Sequence, residues 1–157
     1  MFKLLSSMAD VQTICASSLY DNMTFYKAFT KDLQYATRCV YIESPFITKK
    51  RIDDILPILS VLRKRGISVT VNTRHPEEHD GVYVNQAYDA VAGMQVLGVR
   101  VLYTVKHHRK IAIIDDTLWE GSLNILSQND SCEIMRRSVS SELVKQMADF
   151  VGASRYV

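Results

Sequence analysis

The chain has 157 residues, room for one domain with a proper buried core, and its 47% hydrophobic and 23% charged residues exclude a disordered or membrane-embedded class. A net charge of +2 is too small to impose a nucleic-acid partner by itself, so any basic surface must come from local clusters. The opening "MFKLLSSMAD" is too short an apolar run for a signal peptide, with Asp10 interrupting it, and no stretch reaches a membrane span, so a soluble, cytoplasmic protein is expected.

Helical and strand periodicities then alternate, the order of an α/β fold with a partly parallel sheet; only the first 20 residues are ambiguous. Residues 24 to 37 carry Phe25, Phe29, Leu33 and Ala36 at helical spacing behind Thr24 as N-cap. "CVYIE" (39 to 43) reads as a short buried strand ended by Ser44-Pro45. Residues 49 to 65 predict a second helix with Ile52, Ile55, Leu56, Leu59 and Leu62 on its apolar face, a kink at Pro57 and a stop at Gly66. The β-branched "ISVTVNT" (67 to 73) is a strand, and the polar "RHPEEHDGVYV" (74 to 84) a loop. A helix over 85 to 97 closes at Gly98 before the strand "VRVLY" (99 to 103). In the last helix Leu143, Val144, Met147, Phe150 and Val151 share one face, with Ser140 at the cap. There is no repeat, linker or low-complexity segment, so residues 1–157 read as a single domain.

The basic clusters are Lys49-Lys50-Arg51, Arg63-Lys64-Arg65, Lys106 to Lys110 and Arg136-Arg137, each of which also suits a solvated helix end or turn. Cys15, Cys39 and Cys132 form no CxxC pair and suggest reduced thiols, with Cys132 as a small buried residue. In "HPEEH", His75 and His79 would make metal ligands at i, i+4 only on a helix, and Pro76 favours a solvated loop instead.

The chemistry concentrates in "HHRKIAIIDD" and the residues after it. On a strand His108 and Lys110 project from one face, while Ile111 and Ile113 point to the other. Beyond its polar entrance the strand is apolar on both faces, as an interior strand should be. Its entrance sets a nucleophile-capable imidazole beside a fixed ammonium. In "GSLN", Ser122 and Asn124 repeat the spacing and both can donate to a phosphate oxygen, while Gly121 allows close backbone approach. Glu133 can hold an imidazole in one tautomer.

His108-x-Lys110-xxxx-Asp115, then Gly121-Ser122-x-Asn124, then Glu133, resembles the HKD motif of the phospholipase D superfamily, closely over residues 107 to 135. The resemblance implies an α/β fold, a phospholipase D-like mixed sheet flanked by helices. One departure is visible: five residues separate Asp115 from Gly121, one fewer than in the family pattern, which bears on the hairpin but not on the residue set. It also implies a mechanism. A neutral imidazole attacks phosphorus to form a phosphohistidine, a second, protonated imidazole serves the leaving oxygen and then activates water, and Lys, Ser and Asn donors stabilise the equatorial oxygens without metal or other cofactor. His108, Lys110, Ser122, Asn124 and Glu133 are the expected catalytic set, with Asp115 and Gly121 structural.

Two imidazoles are needed and the chain carries one motif, so a homodimer pairing two copies of His108 is expected, similar to the small single-motif bacterial nucleases of the superfamily. His107, Arg109, Trp119 and Ser44 are candidate substrate contacts: Trp119 as a stacking ring or as hairpin packing, and Ser44 in "IESPFIT", which resembles the strand-end loop bordering the family's site. Scattered basic clusters favour a DNA or RNA phosphodiesterase. The alternatives are a phospholipid hydrolase or transferase, which needs an apolar membrane-facing surface, and a catalytically silent nucleic-acid-binding module.

Overall fold

The computed structural model describes residues 17–128 and 130–157; the expectations for "MFKLLSSMAD" and Cys15 lie outside them. Seven strands form one sheet: β1 (Ser17–Asp21), β2 (Cys39–Glu43), β3 (Ser68–Thr73), β4 (Arg100–Tyr103), β5 (Ile111–Ile114), β6 (Thr117–Gly121) and β7 (Ile134–Val139). Their order across it is β1-β7-β6-β5-β2-β3-β4. Helices α1 (Phe25–Tyr35), α2 (Lys49–Lys64), α3 (Tyr83–Val96) and α4 (Ser141–Val151) complete the fold.

The sheet divides by connection type. β2, β3 and β4 run parallel because α2 and α3 carry the chain back between them. From β5 onward every pairing, including that of β5 with β2, is antiparallel, and a two-residue turn joins β5 to β6. Period-two alternation then decides what each face buries. Val40, Ile42, Ala112, Ile114 and Trp119 join α1, α2 and α3 in the larger core. Tyr41, Ile111, Ile113 and Leu118 meet α4 on the other face, in a smaller one.

The predicted elements differ from the observed ones mainly at their edges. Thr24 precedes α1 but caps no helix amide; its hydroxyl donates to Asp21 Oδ1 instead. Pro57 lies inside α2, which continues through it on its exposed side, where the missing amide costs least. The loop reading of 74 to 84 is too long: Pro76–Glu78 forms a 3-10 turn and α3 already starts at Tyr83. Phe150 is not part of the buried face of α4, being 84% exposed, whereas Ala148 is buried. Ser140 does cap α4, accepting from the Leu143 amide. Among the described residues no helix is long and apolar enough to cross a membrane.

Candidate active site

The stretch before β5 is pinned on both sides. The Thr104 amide extends the β3 ladder to the Thr73 carbonyl, the Lys106 amide donates to Glu78 Oε2, and Arg74 Nε donates to the His107 carbonyl at 2.7 Å. Held extended, "HHRK" sends alternate side chains to opposite sides.

The even side chains face outward. His108 is exposed, and Lys110 Nζ lies 3.1 Å from its Nδ1 and 3.4 Å from its Nε2, while donating to the His108 carbonyl at 2.6 Å. An ammonium has only donors, so it can bond the ring only where a nitrogen carries a lone pair. Partial burial pushes the Lys110 ammonium below its ordinary pKa, Glu133 pulls it back up, and Arg74 pushes it further down. The hydroxyls of Ser122 and Ser131 hold the Glu133 carboxyl below the usual carboxylate range, the latter bonding at 2.6 Å, and the Lys110 ammonium acts in the same direction. Lys110, Glu133 and Ser122 thus share one electrostatic neighbourhood with His108.

The hairpin delivers Gly121 to this place. Asp115 and Asp116 make a two-residue turn, so Ile114 pairs with Thr117 and Ile111 with Glu120. The next step sets Gly121 opposite Lys110, its amide donating to the Lys110 carbonyl at 3.3 Å. The shortened Asp115–Gly121 spacing is therefore what a two-residue turn requires. Asp115 adopts φ 53° and accepts at its carboxylate from the amides of Thr37, Arg38 and Cys39 and from the Thr37 hydroxyl. Burial raises its pKa, but those donors outweigh burial and hold the carboxyl below its usual range. At Gly121 an added Cβ would fall 2.1 Å from the Ile134 carbonyl oxygen. Only glycine permits that approach.

Ser122 and Asn124 lie past the end of β6, so strand alternation does not align them as the sequence suggests. Ser122 Oγ instead bridges to β7, accepting from the Ile134 amide at 3.0 Å. Tyr26 ties down the following loop, its hydroxyl in reach of the carbonyls of Asn124, Ile125 and Ser127. Asn124 Oδ1 is buried with no partner among the described residues.

The odd side chains converge on a buried carboxylate, Glu43. His107 is buried, with Nε2 3.8 Å from Glu43 Oε2, too long for a hydrogen bond. Arg109 grips the same carboxylate through Nε at 2.5 Å and a terminal nitrogen at 3.0 Å. Glu43, fully buried, also accepts from the Tyr41 hydroxyl at 2.6 Å and from Asn72 Nδ2 at 3.2 Å. Neither Glu43 nor Arg74 was singled out from the sequence. A carboxylate closing the otherwise apolar "CVYIE" was the available signal, since a buried charge needs partners.

Several candidate substrate contacts are placed elsewhere by packing. His107 is buried, and Arg109 is paired with Glu43. Trp119 is fully buried against Phe25, Phe29 and Tyr20, its indole donating to Asp32 Oδ2 at 2.8 Å, so no base can stack on it. Ser44 is fully buried, donating to the Phe46 carbonyl and accepting from the Leu126 amide. Cys132 is exposed rather than buried. His75 and His79 do not converge: the first contacts Tyr88 and Tyr103, the second Phe46.

The sheet order and its flanking helices give the chain a phospholipase D-like fold. Solved structures bear this out. Nuc from Salmonella typhimurium, a phospholipase D family member, superposes with a TM-score of 0.69 at 16% identity, covering 85% of this chain and 91% of its own. NucT from Helicobacter pylori gives 0.68 at 18% identity, covering 89% and 94%. Phosphatidylserine synthase from Haemophilus influenzae gives 0.72 at 13% identity, over 87% of this chain and 36% of its own. Neither a protein-family model nor a curated relative matches the sequence.

Proposed function

We propose that the chain is a phosphodiesterase acting on nucleic acid, metal-independent and working as a homodimer. The observation that carries this reading is the separation within "HHRK": one imidazole is buried, while His108 stays exposed beside the Lys110 ammonium, with Ser122 and Glu133 next to it. The fold shared with Nuc and NucT supports phosphodiester chemistry on this frame.

In the proposed reaction a ring nitrogen of His108 attacks phosphorus, and the P–O bond on the far side breaks. His108 of the partner subunit protonates the departing oxygen, releasing an alcohol. Water, deprotonated by that same imidazole, then breaks the P–N bond to leave a phosphomonoester and free His108. Lys110, Ser122 and Asn124 stabilise charge on the equatorial oxygens. Lys110 has three N–H donors, so it can reach a phosphate oxygen while one of them stays on the His108 carbonyl. No hydrogen bond joins Glu133 to His108 within one chain, so a tautomer-fixing role for Glu133 has to be completed in the assembled, substrate-bound centre.

The test is incubation with plasmid and single-stranded DNA in excess EDTA beside His108→Ala. Cleavage that survives EDTA and vanishes in the variant supports the proposal. Salt-sensitive binding without cleavage favours a silent binding module, and turnover of phosphatidylcholine or cardiolipin vesicles favours the lipid chemistry. A strict monomer at working concentration would remove the second imidazole and sink the dimeric mechanism.

A further inference from the structure

One arginine at the edge of the centre stands without a counter-charge. Arg38, Arg51, Arg109 and Arg137 each pair with a carboxylate. Arg74 pairs with none among the described residues. It follows the carboxyl end of β3, next to the end of β2 and the entrance to β5. Ligands of open α/β sheets gather at that end of the strands. Two contacts hold its side chain there. Nε donates to the His107 carbonyl at 2.7 Å, and the guanidinium carbon lies 4.7 Å from the centre of the Phe46 ring.

The rest of the fork is unused. Its two terminal nitrogens make no hydrogen bond among the described residues, and the fold does not enclose them. A guanidinium anchored at Nε and laid on a ring is already oriented to take a phosphate through its remaining N–H donors. Its charge is felt at the centre. Burial chiefly, and Arg74 in addition, presses both the Lys110 ammonium and the His107 imidazole below their ordinary values. Like charges gathered in this way favour an anion beside them. Yet Arg74 and Lys110 do not occupy one spot. Lys110 Nζ bonds the His108 carbonyl and Arg74 the His107 carbonyl, and successive carbonyls of an extended segment point to opposite edges. The two cations therefore flank the segment from its two sides.

We infer that Arg74 receives a second phosphate of the substrate, next along the backbone from the scissile one that Lys110 holds, so that the site selects a chain of phosphodiesters over an isolated one. This assignment rests on the nucleic-acid reading proposed above and names the feature of that substrate which the site recognises. Phosphatidylcholine, with a single phosphodiester, offers Arg74 no partner. A nucleic-acid strand offers one at every step, and contacts of this kind fix register without reading sequence.

Binding tests it without turnover. The full-length chain carrying His108→Ala, so that no linkage is cut, is bound to a fluorescein-labelled oligonucleotide in EDTA. Trinucleotides then compete for it, with both linkages charged or with either one replaced by a neutral methylphosphonate. The linkage that stays charged can still occupy the centre. Neutralising one of the two should weaken competition about tenfold, the scale of one charge-assisted hydrogen bond. With Arg74→Ala added, the same replacement should cost less than about twofold. Each penalty is a ratio within one protein, so a general loss of affinity in the variant cancels. If Arg74 only positioned the His107–His108 segment, or if total charge alone mattered, the variant would keep the full penalty, and that result overturns the inference. Indifference to both replacements while Arg74 is present overturns it with no need of the Arg74 variant. DNA cleavage by a chain that shows no such penalty would leave the phosphodiesterase reading standing and sink this one. A penalty that Arg74→Ala removes, in a protein that cleaves nothing, would uphold Arg74 and sink only the phosphodiesterase reading.

Discussion

Four consecutive residues, His107 to Lys110, build two clusters of opposite character, each around its own glutamate. The odd pair, His107 and Arg109, turns inward to Glu43, which is fully buried and has Tyr41 and Asn72 as further partners. The even pair, His108 and Lys110, turns outward toward Glu133, which is bonded only to small hydroxyl residues at the surface. In the inner cluster Glu43 is fully paired and His107 is buried, while Arg109 bridges from the carboxylate to the surface. The outer one has an exposed imidazole in contact with an ammonium. Two histidine–cation pairs one position apart therefore divide into a scaffold and a candidate reaction centre, because an extended chain reverses direction at each residue.

Substitutions in the two clusters would break or sharpen that contrast. The largest effect is expected from His108→Ala, which should lower kcat on a DNA substrate by at least about a thousandfold with no change in thermal midpoint; equal loss from His107→Ala at unchanged stability would reverse the assignment of the two rings. Glu43→Ala should act on folding instead. It strips Arg109, Tyr41 and Asn72 of their shared acceptor and should cost on the order of 3 kcal/mol in urea denaturation, whereas Glu133→Ala should cost well under about 1 kcal/mol.

Lys110→Ala should reduce kcat about a hundredfold and KM little, because its donor serves charge that develops in the transition state. Weaker binding at unchanged turnover would contradict that role.

The smallest effect concerns pH. Burial, reinforced by Arg109, Lys110 and Arg74 and opposed by Glu43, holds the His107 imidazole below its ordinary value of 6.5. The unfolded chain then takes up a proton that the folded chain refuses, so stability is full above that value and falls as the pH drops below it. Urea midpoints across this acidic range should show a slope that flattens in His107→Phe.

Much of this arrangement was readable in one dimension. The strands at 39–43 and 68–73 announced themselves through unbroken apolar or β-branched runs, and α4 through its Ser140 cap. The even-numbered pair with Asp115 and Gly121 was legible because a two-residue turn converts a fixed spacing into a fixed register. The inner cluster was not, since Glu43 and Arg109 are 66 positions apart and only the antiparallel pairing of β2 with β5 brings them together. Trp119 and Ser44 misled for a related reason. Side-chain chemistry suggests what a residue could touch, while packing decides whether it is reachable, and both are fully buried.

By itself the sequence determined the alternation of helices and strands, the turn at Asp115 and the residue types gathered at the mouth of β5, because local periodicity and turn chemistry act over a few positions. Only the tertiary structure decided which of two adjacent histidines is exposed and which carboxylate each cation meets. Those outcomes depend on burial, and burial is settled by elements distant in the chain.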